Sequence, residues 1–394
     1  MAEVTVYDGA RTARNAWIAA AVGVAVLILG LFVDAERAWF AYLTAFTIAF
    51  TIACGGLILL MIGYAANAKW MAVVRRPNEI VALPLPALAV LFIPILFGLG
   101  WLYWWHTPPA SLSHHEHEVL EHREGYLNTL AFTIRAVIYF AILLVAQNRL
   151  RLWSLVRERT VLDTREPVEA LSRERIFASA MLPPVGLAFS FAVIDWVMTL
   201  QPWYSTMFPV YVFAGGFIAA IALVTVLTAR LYHASSPGVT TNHFHALGRM
   251  MFAFTVFWAY TAYFQAFLIK IADKPDEVTF YLNRTTGGWD PFVWILVLGH
   301  FALPFLFLLP KGVKFRPHAM EFAAWWLIVM HVVDVYWIVM PARRLLPLHW
   351  IDLGALLAVG GVCVASAARR QHDESLVASR DPFFAAGAAY RSPL

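Results

Sequence analysis

WDPFVWILVLGHFALPFLFLLP, residues 289–310, and HAMEFAAWWLIVMHVVDVYWIVMP, residues 318–341, decide the fold of this chain. A short basic turn, KGVKFRP, joins them. Each run is long enough to cross the hydrocarbon core of a bilayer, which takes about 20 apolar residues. Each also carries groups that hydrocarbon does not tolerate cheaply: His300 in the first, and Glu321, His331 and Asp334 in the second. A charged side chain at the centre of such a helix costs about 2.5–3.5 kcal/mol on insertion scales, so it faces a bundle interior or a cavity and serves a purpose there. His331 and Asp334 are three residues apart and share one helix face.

Eight further apolar runs follow the same pattern, at residues 16–33, 39–64, 80–105, 126–146, 176–200, 207–229, 250–271 and 349–368. The composition agrees: of 394 residues, 61% are hydrophobic and 14% charged, with mean hydropathy +0.66. A soluble protein of this size has no way to bury so much apolar surface. The chain therefore reads as an all-α polytopic membrane protein with about ten transmembrane helices. The two cysteines, Cys54 and Cys363, fall within apolar runs. They are too few to ligate an iron–sulfur cluster, and no C-x-x-C-H motif for covalent haem attachment occurs. No metal ligand set and no nucleic-acid footprint is predicted. The N-terminal segment lacks a cleavage-site pattern, so the first helix is expected to be retained.

Charge sets the expected orientation. Arg11, Arg14, Lys69, Arg75, Arg76, seven arginines between residues 147 and 175, Arg230, Arg249, Lys311, Lys314, Arg316, Arg369 and Arg370 all fall on one side. The positive-inside rule makes that side cytoplasmic and places both termini there. Depth then follows from 1.5 Å per residue. Glu321 enters near the cytoplasmic face, His300 lies near mid-membrane, and His331 somewhat beyond it. Asp334, Asp195 and Arg135 lie in the outer half. These groups form a series of titratable side chains across the membrane, the pattern used by proton relays. Arg135 is the expected counter-ion of one aspartate, since an unpaired arginine there is costly. His243 and His245 flank the cytoplasmic start of the seventh run, where they could admit protons or line an interface. The histidine-rich loop with His114, His115, His117 and His122 matches no zinc signature and reads as a solvated or partner-contacting segment. Each polar group also has a structural reading: Asp195 with Arg135 as an ion pair, and His300 or His331 as interhelical hydrogen-bond glue.

Longer motifs carry a resemblance. GYLNTLAFTIRAVIYF (125–140), DWVMTLQPWYST (195–206), HFHALGRMMFAFTVFWAYTAYFQAFLIKIADKPDEVTFYLNR (243–284), LGHFALPFLFLLP (298–310) and LIVMHVVDVYWIVMP (327–341) resemble the ActF family, in the order found there. ActF proteins are NrfD/PsrC-like membrane subunits of bacterial alternative complex III, a quinol:cytochrome c or quinol:acceptor oxidoreductase. The resemblance implies two four-helix bundles, spans two to five within residues 39–200 and spans six to nine within 201–341. An N-terminal segment with a peripheral span (1–38) and a tenth span with a cytoplasmic tail (342–394) would flank them. It implies a place in the bacterial cytoplasmic membrane, no redox centre and no covalently bound cofactor in this subunit. Quinol would be oxidised in the complex, with haem c and iron–sulfur clusters in partner subunits. Those partners would be an ActC-like NrfD subunit, an iron–sulfur subunit and a multihaem cytochrome c. Arg135, Asp195, His243, His245, His300, His331 and Asp334 carry over as polar members of the matching motifs. The histidine-rich loop and the tail DPFFAAGAAYRSPL depart from the family pattern. The readings that compete are a haem b anchor ligated by His300 and His331, a secondary transporter with broken helices in two matching halves, and a purely structural anchor.

Overall fold

The computed structural model describes residues 7–108, 114–159 and 166–392. It is helical throughout, with no β-strand among the described residues. Ten helices are long and apolar enough to cross a membrane: Ala10–Val33, Ala35–Ala65, Met71–Phe97, Thr129–Glu158, Leu171–Leu200, Phe208–His233, Thr241–Ala272, Asp290–Leu308, Pro317–Arg343 and Trp350–Gln371. These are spans one to ten. Alternation places the arginine-rich connections at one face, called here the arginine-rich face, and the turns after spans one, three, five, seven and nine at the opposite face.

Spans two and six are the innermost and pack against one another. Span two also holds spans three and five, with span four against span five. Span six holds spans seven and nine, and span eight closes between those two. Small residues make the central crossing close. A Cβ on Gly55 would lie 2.9 Å from Ala220 Cβ, and one on Gly216 would lie 2.7 Å from Thr51 Cβ. Without hydrophobic drive between helices in lipid, such close backbone approach supplies the van der Waals attraction that holds them together.

The same device attaches span one to span ten. Ala13, Ala16, Ala20, Gly23, Leu27 and Gly30 are its buried stripe, recurring every three or four residues. A Cβ on Gly23 would meet the backbone nitrogen of Ala358 at 2.2 Å, and one on Gly361 the carbonyl of Ala16 at 2.7 Å. The remaining surface of span one, including Phe32, Ile18 and Leu29, is exposed apolar surface suited to lipid.

The segment between the fourth and fifth apolar runs is more ordered than its polar sequence suggests. The arginine-rich connector 147–175 is largely helical, because span four continues to Arg159 and the helix of span five begins at Glu166. Its arginines are not simply solvated loop charges. Arg151 bonds Glu79 at 2.5 Å, Arg76 bonds Glu79 at 2.7 Å, and Arg157 bonds both Glu174 and the tail residue Asp381. Arg75 also pairs with Asp381. Four arginines thus share buried carboxylates at the arginine-rich face, and the tail is part of this seal.

The helix breaks do not match between halves. Span three breaks into segments around Pro84, Phe92 and Gly98, whereas span seven runs unbroken from Thr241 to Ala272. Pro183 and Pro184 interrupt nothing, since the helix Glu166–Trp196 passes through them. The matching breaks a transporter would require are missing among the described residues.

Gly23→Leu should separate span one from span ten while leaving both bundles assembled. A drop in thermal midpoint, with loss of cysteine cross-linking between engineered sites on these spans, would record it; unchanged cross-linking would contradict the packing.

Candidate functional site

Span eight is not a plain helix. Residues Leu296–Ala302 form a π-helical turn around His300. Pro304 has no N–H, so the carbonyl of His300 loses its normal helical donor. The Gly299 carbonyl instead accepts from the Trp326 indole of span nine at 2.7 Å. Gly299 also permits tight packing, since a Cβ there would lie 2.6 Å from Met330 Sδ. Single π turns of this kind recur at functional sites because they re-aim one side chain. Here that side chain is His300.

His300 is completely buried and lies flat on Trp258 of span seven, with ring centroids 4.1 Å apart. Neither of its ring nitrogens has a hydrogen-bond partner among the described residues. The other side of the connection is Asp334, since Trp258 donates its indole N–H to Asp334 Oδ2 at 3.0 Å. Tyr211, in the first turn of span six, donates to Asp334 Oδ1. His331, one helical turn before Asp334, bonds Thr51 of span two through Nε2 at 2.9 Å. Its Nδ1 is unpartnered among the described residues. Gly215 makes the room: a Cβ there would lie 3.1 Å from both Asp334 Oδ2 and His331 Nδ1.

Five spans therefore converge on one cluster of Thr51, Tyr211, Trp258, His300, His331 and Asp334. Asp334 is only 1% exposed and its hydrogen-bond donors are neutral, with no salt bridge to it among the described residues. A buried carboxylate without a cation is costly when ionised, so this position is an unusual one for an aspartate.

Asp195 has the opposite surroundings. It accepts from Arg135 Nε at 2.7 Å and Arg135 Nη2 at 3.2 Å, from Tyr126 at 2.7 Å and from Tyr139 at 2.9 Å. Both oxygens are filled and the charge is paired within spans two to five. The hydroxyl of Tyr126, which lies outside the spans, is pushed up by burial and by that bond to the carboxylate. Asp195 and Asp334 occupy corresponding places in the sequence: each stands seven residues before a proline, Pro202 and Pro341, and each follows a valine and a β-branched residue. One aspartate received an arginine and two tyrosines, the other a tyrosine, a tryptophan and two histidines nearby.

The other candidates lie apart from this cluster. Glu321 pairs with His233 at 3.2 Å near the arginine-rich face, ten residues of helix, or about 15 Å, from His331. His243 is buried at the start of span seven, where its Nδ1 accepts from the Thr240 backbone N–H at 3.1 Å in a helix cap. His245 bonds Ser392 of the tail at 2.6 Å and stacks on Phe315 with centroids 4.2 Å apart. Both lie where span seven meets the tail. The side chains of His114, His115 and His117 lie outside the described residues.

Sequence reasoning missed Tyr211, Trp258 and Thr51, which are ordinary span residues until the fold brings them to Asp334. It also missed Arg284 as a buried group. Arg284 lies at the opposite face over the Phe280 ring and donates to Gln201 at 3.0 Å and to the carbonyls of Phe280 and Ile338. Burial pulls its guanidinium down to about 9.

The residues present do not fit a haem held between His300 and His331. Such a haem needs both nitrogens directed at opposite faces of one porphyrin. His331 Nε2 is taken by Thr51, and the His300 ring lies flat against Trp258.

No family model matches this chain, and no curated protein sequence matches it.

Arg135→Ala should leave Asp195 charged and unpaired and destabilise the protein by about 3 kcal/mol or more, as for other buried ion pairs broken on one side. The double variant Arg135→Ala/Asp195→Asn should recover most of that loss. Thermal or denaturant unfolding in detergent measures both, and equal losses in the single and double variants would refute the pairing as the source.

Proposed function

We propose that this chain is a membrane subunit of a quinol-oxidising complex of the alternative complex III type, and that its spans six to nine provide a proton path. One observation carries the proton path: Asp334 is buried without a cation, one turn from His331, and bonds the tryptophan on which His300 is stacked. The ActF-like motifs support the complex. They include Trp258, His300, His331 and Asp334 of this cluster.

In this reading protons enter from the cytoplasm at Glu321 and reach the interior through water. His300 and His331 hold the proton at their free nitrogens, and Asp334 receives it at Oδ2, the oxygen it shares with Trp258. Release runs outward past Tyr211, which bonds the other carboxylate oxygen. A change in the neighbouring quinol-oxidising subunit would shift the affinity of Asp334 for its proton by moving the donors around it. The chain itself would carry no redox centre. An ActC-like NrfD subunit, an iron–sulfur subunit and a multihaem cytochrome c would supply quinol oxidation and electron transfer. Both termini would be cytoplasmic in the bacterial inner membrane. Asp195 is outside this path, because Arg135 and two tyrosines occupy it fully.

Purification in mild detergent should bring multihaem cytochrome and iron–sulfur subunits with the chain, together with quinol oxidation. A chain that purifies by itself would overturn the complex.

In the assembled complex, Asp334→Asn and His331→Ala should keep quinol oxidation and lower the number of protons moved per electron. Asp195→Asn should leave that ratio unchanged and lower stability instead. Equal ratios in all three variants would exclude the path.

A further inference from the structure

A second group of polar side chains stands at the arginine-rich face of spans six and nine. His233 is the last residue of the helix Phe208–His233, and His318 and Glu321 lie in the opening turns of the helix Pro317–Val339. One ligand atom from each lies within 4.8 Å of the others. His233 Nε2 is 3.2 Å from Glu321 Oε2, and the two imidazoles stack with centroids 4.5 Å apart and planes 18° from parallel.

We propose that His233, His318 and Glu321 form a binding site for one divalent transition-metal ion of the zinc class. The donor set is two imidazoles and one carboxylate, three protein ligands that leave a fourth position for water. Zinc bonds of about 2.0–2.2 Å put tetrahedral ligands about 3.4 Å apart. The His233–Glu321 pair already has nearly that separation. His318 is exposed, so rotation of its side chain completes the set without moving a helix.

The surroundings select the ion. Arg230, Lys311, Lys314 and Arg316 lie close in sequence to the three ligands. The first turn of span nine adds the positive end of a helix dipole, while the end of span six offers a negative one. A hard cation such as calcium or magnesium needs several oxygen ligands, and this site offers one carboxylate. Imidazole suits zinc, nickel and copper, for which nitrogen ligation outweighs the unfavourable field. An ion bound here would link the end of span six to the start of span nine. It would also occupy Glu321, the first group of the proposed proton path; that consequence rests on the path, whereas the binding does not.

The full chain, purified without a histidine tag, can be titrated with zinc(II) against a chromophoric chelator and with cobalt(II) by its visible absorption. The histidine-rich loop is the competing ligand source, so the reference is His114→Ala/His115→Ala/His117→Ala/His122→Ala. One equivalent of zinc should bind to this reference protein, with tetrahedral cobalt absorption and no competition from magnesium. Adding His233→Ala or His318→Ala should weaken it about a hundredfold or more, since loss of even an outer-shell partner costs about 10–100-fold. Glu321→Gln should weaken it in the same direction. Zinc binding that disappears in the loop variant, or that survives His233→Ala/His318→Ala, would overturn the site. These side chains are at the surface, so size-exclusion behaviour should remain that of the parent and keep the comparison valid.

Discussion

Gly216 lies against Thr51 where spans two and six cross, and the interior is built outward from that contact. A Cβ at Gly216 would fall 2.7 Å from Thr51 Cβ, so any larger residue would push the two central helices apart. The consequence is chemical as well as mechanical. Thr51 belongs to span two, yet it bonds His331 of span nine at 2.9 Å. Gly215, one residue earlier, leaves space for His331 and Asp334 together. Two adjacent glycines thus bring one helix close on one side and open a niche on the other.

The two buried aspartates show how surroundings divide the labour between similar positions. Asp195 has four donors, two of them from one guanidinium, and its charge is permanently balanced. Asp334 has two neutral donors and two nearby histidines. The same residue type, seven residues before a proline in each case, is an ion-paired brace in one place and is held by neutral donors alone in the other. Arginine makes the difference: one guanidinium supplies two of the four bonds to Asp195, whereas the donors to Asp334 are neutral.

Much of the architecture was legible because hydrocarbon imposes a simple length rule on apolar runs, and all ten spans follow it. The pairing of Arg135 with an aspartate was also legible, since an arginine in that position demands a partner. The connector between spans four and five was not. Its arginines read as loop charges because their carboxylate partners, Glu79 and Asp381, are remote in sequence. The cluster at Asp334 was half legible. His300, His331 and Asp334 stand out in apolar runs, whereas Trp258, Tyr211 and Thr51 become polar partners only through the crossing of five helices. The π turn at His300 had a local signal in the proline four residues later, but its register depends on Trp326 from another span. Glu321 was placed by depth, and depth says nothing of His233, which arrives from span six.

Span one has a partner that does not yet exist when it is made. Its buried stripe fits span ten, whose helix begins at Trp350, so more than three hundred residues must be synthesised before the two meet. Until then the helix Ala10–Val33 lacks the main partner of its small-residue stripe. It can do without that partner because it is apolar around its whole circumference and satisfies its own backbone hydrogen bonds. The packing of span one is thus completed late, although span two, which it also touches, follows it at once.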